Sequence, residues 1–125
     1  PSPLKARYKE VLSAGKVRPL VIFDERNDIL GPLHGCIHSW IAKKEWLLSG
    51  PPTVEKMSSV LINDIQTSVD LVNATDNLSL PVASAILECL LAKASRVPAG
   101  VRLLAVNSLT PIVDVGGRTL EVTNG

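Results

Sequence analysis

Aromatic side chains are almost missing from this chain, with Tyr8, Phe23, Trp40 and Trp46 the only four among 125 residues. Any core must therefore be assembled from Leu, Val, Ile and Ala, and single-stranded nucleic acid finds little to stack on. Cysteine is nearly as scarce. Cys36 and Cys89 are too few for a disulfide framework and read as small apolar thiols within helices. Charge of one sign is lacking too, since 13 basic and 12 acidic residues leave a net +1. That balance gives no whole-molecule case for nucleic acid or membrane. The longest apolar stretch is interrupted by Glu88 and Lys93, short of the roughly 18 residues a membrane span requires. No leader pattern is visible, and an intracellular location, cytoplasmic or nuclear, is expected.

What is present is ordinary globular composition, 46% hydrophobic and 20% charged. Length predicts one α+β domain over residues 1–125, or a piece of a larger polypeptide. Leu4, Tyr8, Val11 and Leu12 share a helical face, so a first helix is expected from Leu4 to Ala14, ended by Gly15. Arg18–Asp24 reads as a strand and Leu33–Leu48 as a helix closed by Ser49-Gly50-Pro51-Pro52. The strongest amphipathic pattern covers Val54–Val72, with Thr53 or a neighbour as its cap. Leu80–Val97 is apolar around most of its circumference and is expected to be an enclosed central helix. Val101–Val106, Ile112–Val115 and Thr119–Thr123 read as strands, the last two joined by a hairpin at Gly116-Gly117. The expected fold is about four helices around that apolar rod, with a small, mainly antiparallel sheet at one side.

Four groups of residues invite a functional reading. His34 and His38, at i and i+4, share a helical face and suit zinc, as does Cys36 between them. Cys36 points away from that face, Glu45 lies about 16 Å along the helix from His34, and no CxxC supplies further ligands. No cofactor is expected, and a small enzyme or metal site at His34, Cys36 and His38 stands only as an alternative. An N-terminal proline, Pro1, can serve as a base in tautomerase chemistry, but a helical pattern follows it here, not the strand that would seat it.

The other groups concern partners. Trp46, Leu47 and Leu48 sit at a helix end, and Trp46 falls opposite Trp40 on the helical wheel, so one indole is left for a partner, a second subunit or a loop. Lys5, Arg7 and Lys9, with Lys16 and Arg18 nearby, make the first helix a basic docking surface, with Glu10 its only acid. In element order alone the chain resembles a winged helix, which implies nucleic-acid binding. In that frame Leu80–Val97 would read bases, yet it carries only Lys93 and Arg96, while Arg102 and Arg118 would touch phosphate. No G-x-S-x-G elbow and no Gly-rich phosphate loop occurs. The expected function is a non-enzymatic protein-interaction or self-association domain, a homodimer included, with nucleic-acid binding through the basic first helix as the alternative.

Overall fold

A computed structural model of the chain describes residues 3–124, so Pro1 lies outside the described residues. The chain is α+β, with four helices and one four-stranded mixed sheet. Strands β1 (Lys5–Ser13) and β2 (Lys16–Ile22) form a hairpin. A 3-10 turn, Glu25–Leu30, leads to helices α1 (Gly31–Ile41), α2 (Val54–Met57), α3 (Leu80–Lys93) and α4 (Ala99–Ser108). Strands β3 (Ile112–Val115) and β4 (Arg118–Glu121) close the chain. The sheet order is β2-β1-β3-β4, antiparallel at both outer pairs and parallel between β1 and β3. Two compact units result, one made of residues up to Gly31 and from Asn73 onward, the other Pro32–Val72.

Within the first unit the sequence makes β1 a strand, where a helix was expected. Its apolar residues suit either period, and the Ala14-Gly15 turn decides for the strand. Both turn residues have positive φ, 50° and 74°, as a tight type I′ hairpin requires. Pro19, which has no N–H to donate, is tolerated because β2 is an edge strand. Gly116 and Gly117 repeat the arrangement between β3 and β4, at φ 59° and 86°. Leu4, Ala6 and Val113 are buried where β1 and β3 run parallel, and the Ile112 N–H donates to the Leu4 carbonyl at 2.9 Å.

Helix α4 occupies Val101–Val106, which was expected as a strand. Val101, Leu104, Ala105 and Ser108 recur at helical spacing, and Ala105 is buried where α4 packs on α3 and on the 3-10 turn. Asp24 caps that turn. Its Oδ1 accepts from the Arg26 N–H at 2.9 Å, and its carboxylate pairs with the Arg26 guanidinium at 2.7 Å. Those hydrogen bonds hold the Asp24 carboxyl well below the usual carboxylate range.

Helix α3 is not the enclosed rod expected of Leu80–Val97. Its inner side is Leu80, Ala83, Leu87 and Leu91, of which Leu91 alone is buried. Val82, Ile86 and Leu90, at i, i+4 and i+8, lie exposed along another flank. A helix covered on one side buries only that side, whatever its composition. The C-terminal end of α3 is held by Arg102 of α4. Its guanidinium donates to the carbonyls of Leu91, Ala94 and Val97, the last at 2.9 Å, supplying donors that a helix end lacks.

In the second unit the 19-residue helix expected at Val54–Val72 is a single turn, Val54–Met57. Thr53 does cap it, its Oγ1 accepting from the Lys56 N–H at 3.2 Å. Beyond it Val60, Ile62, Ile65, Thr67 and Val69 are β-branched, and Ser58, Ser59, Asn63 and Asp64 compete with the helix for backbone hydrogen bonds. The amphipathic face has nothing to pack against: Ile62, Ile65, Val69 and Val72 are all exposed, Ile65 at 86%. Without burial of that face, helical propensity alone does not sustain the element.

The Arg102 clamp gives a test of the α3–α4 corner. Arg102→Met should lower the unfolding free energy by about 2–3 kcal/mol, as loss of charge-assisted bonds to helix-end carbonyls predicts. Arg102→Lys should recover only part of it, because an ammonium cannot span three carbonyls. Urea unfolding of the three proteins reads this directly, and a midpoint unchanged in Arg102→Met would contradict it.

Candidate protein-interaction surface

The second unit carries a groove of about 420 Å³, lined by Ala42, Glu45, Trp46, Leu47, Leu48, Ser49, Lys56, Met57 and Val60. Its construction follows from where α1 stops. The helix ends at Ile41, and turns through Lys44 and Leu47 carry the chain out of the helical path, the Leu47 N–H donating to the Lys44 carbonyl at 3.0 Å. Gly50, at φ 79°, lets the chain reverse ahead of Pro51-Pro52. Lys56 then ties α2 back to this loop, its Nζ donating to the Ser49 carbonyl at 2.7 Å. Met57 and Val60 thereby line the groove together with Leu47 and Leu48.

Trp46, Leu47 and Leu48 therefore lie together on the groove wall, and Trp46 is 77% exposed. The helical-wheel opposition of the two tryptophans does not survive, because α1 ends before Trp46. Trp40 is nonetheless also exposed, with the Lys44 ammonium 4.1 Å from its ring centroid in a cation–π contact. Sequence reasoning singled out the three wall residues. It missed Met57, Val60 and Lys56, which it had assigned to a long helix.

The histidines behave as spacing predicted. His34 and His38 stack one turn apart, centroids 6.0 Å apart and planes inclined by 20°. Both are exposed, as is Cys36. Among the described residues no group of three or more His, Cys, Asp or Glu is gathered as a metal ion would need. Both cysteines lie within helices as expected, but each is free and exposed.

The basic segment is rearranged by the change from helix to strand. Lys5, Arg7 and Lys9 alternate along β1 and so emerge on one face of the sheet. The expectation of a basic N-terminal helix is thereby corrected, and with it the winged-helix ordering that relied on it. Arg102, expected to meet phosphate, is instead engaged by the three carbonyls at the end of α3.

Among the described residues no helix is long and apolar enough to cross a membrane. In comparison with known proteins, no family model matches the chain, and neither a curated protein nor a solved structure matches it.

Thiol exposure is checked simply. Both cysteines of the native chain should react with a chromogenic disulfide reagent without denaturant, releasing two equivalents per chain. Reaction of one or none before unfolding would show that a helix face described as open is covered.

Proposed function

We propose that this chain is a non-enzymatic self-association domain, in which the Trp46 groove of one copy meets the same face of a second copy. The observation that carries this reading is the amount of surface left uncovered. The chain exposes 10371 Å². Two independent compact bodies with the lengths of its two units would together expose about 7,700 Å². The excess of about 2,600 Å² per chain is several times the roughly 800 Å² that each partner contributes to a standard interface. Much of it is apolar, including Leu12, Val17, Ile65, Val69, Val72 and Trp46. Exposed apolar surface in that amount is a property of subunits rather than of free monomers.

A second copy is the occupant that the charge balance favours. At net +1, two chains repel each other little. The groove and the exposed indole beside it form a knob and a hole on one patch, which is the requirement for an isologous pair. In such a pair each Trp46 enters the partner groove between Leu47, Leu48, Met57 and Val60. A buried tryptophan surrounded by aliphatic side chains is the usual anchor of an interface.

Sedimentation equilibrium is the test. The native chain should be dimeric at low micromolar concentration, and Trp46→Ala should raise the dissociation constant by about 30-fold or more, the cost of losing an anchor of about 2 kcal/mol. A native chain that stays monomeric at 100 µM (about tenfold above the range tested first), or a Trp46→Ala variant that associates unchanged, would overturn the reading.

A further inference from the structure

The β1–β2 hairpin separates charge in a way that neither strand shows alone. Directly opposed residues of an antiparallel pair project from the same face. Arg18 is opposite Val11 and Lys16 opposite Ser13, so both join Lys5, Arg7 and Lys9 on one face. Glu10, opposite Pro19, falls on the other face with Tyr8 and Leu12. Followed along the ribbon, the face carries one cation at every step: Lys5, Arg7 and Lys9 on β1, then Arg18 and Lys16 on β2. All five are exposed, and the only ion pair among the described residues is that of Asp24 with Arg26. The acids on this face are Asp114 on β3, directly opposite Arg7, and Glu121 on β4, and the Asp114 carboxylate accepts from the Gly117 N–H at 2.9 Å.

We propose that this face of the hairpin binds the phosphate backbone of duplex DNA. Steps along a strand face are about 6.7 Å, while a duplex carries one phosphate charge about every 1.7 Å of axis counting both strands, so a row of cations laid on it finds phosphates of both strands within reach. The four intervals between the five cations cover about 27 Å, or about eight base pairs. Single strands are disfavoured because Tyr8, the hairpin's one aromatic, is on the opposite face. An anionic membrane is disfavoured for a related reason: the cationic face presents no Trp, Tyr or Phe to seat among headgroups. The face carries no Asn or Gln to read adenine, and the contact is to backbone rather than to sequence. This binding stands apart from self-association, since the Trp46 groove belongs to the other unit.

Fluorescence anisotropy of a labelled 20-base-pair duplex with the full chain tests it. Five phosphate contacts predict a log–log salt slope of about −4.5, a weakening of about 500-fold between 50 and 200 mM NaCl. Lys9→Gln with Arg18→Gln should bring the slope to about −2.7, with an unchanged far-ultraviolet circular dichroism spectrum. Lys43→Gln with Lys93→Gln removes the same charge away from the hairpin and should leave the slope as it was. A salt-independent signal, or equal loss of slope in the two double variants, would overturn the proposal. So would tighter binding to a single-stranded 20-mer or to vesicles of 30% phosphatidylserine, which would identify a different anionic partner. Because the readout is DNA, Trp46→Ala should leave the slope intact and thereby separate this proposal from the self-association reading.

Discussion

The pairing of β1 on both of its edges is the constraint on which the first unit depends. On one edge β1 meets β2 through a two-residue turn, a local contact that costs little chain entropy. On the other it meets β3, more than a hundred residues away in sequence, with Lys5, Ala6 and Arg7 opposite Ile112, Val113 and Asp114. That parallel contact buries Leu4, Ala6 and Val113, three of the five buried Leu, Val and Ala side chains among the described residues. The other two, Leu91 and Ala105, belong to the α3 and α4 pair that fills the connection between β2 and β3. Arg102 fixes the corner of that pair. Remove the β1–β3 contact and the hairpin has no core beneath it.

With so few aromatic residues, this core is thin, and the consequence runs through the molecule. An aromatic side chain buries 150–250 Å², and the chain keeps its two tryptophans, its phenylalanine and its tyrosine at least partly exposed. Small aliphatic residues cover less surface each, and the exposed flank of α3, the open segment after α2 and the apolar side of the hairpin remain. The proposed self-association covers the part of that surface at the Trp46 groove. The proposed contact with DNA uses the other side of the hairpin, where the same alternation that leaves Leu12 and Val17 together leaves five cations together.

How much of this is legible in the sequence depends on whether local signals and tertiary contacts agree. At Gly116-Gly117 two adjacent glycines permit a turn that other residues resist, and β3 falls at Ile112–Val115 as the pattern implied. Helix α3 likewise begins at Leu80, where the apolar run begins. The segment Leu4–Ser13 fits two periods, since Leu4, Tyr8, Val11 and Leu12 suit a helix and Leu4, Ala6, Tyr8 and Leu12 suit a strand. Only the distant β3 and the adjacent β2 choose between them. Val54–Val72 shows the opposite failure, a clear helical stripe with no surface to bury it. Val101–Val106 reads as a strand because a short apolar run follows Pro98-Ala99-Gly100, and that boundary masks the helical spacing that α4 uses. At the groove, Trp46, Leu47 and Leu48 were legible because three large apolar residues precede a Gly-Pro-Pro stop. Met57 and Val60 were not, because their role depends on Lys56 folding α2 back.

Nuclear Overhauser contacts within the native chain test the shared pairing of β1 most directly. The account predicts close cross-strand contacts between Tyr8 and Val21 and between Ala6 and Val113, together with slow exchange of the β1 amides that donate across either paired edge. Strong sequential amide–amide contacts from Leu4 to Ala14, with neither cross-strand pair observed, would mean that this segment is a helix. Both the core and the cationic face described for it would then be contradicted.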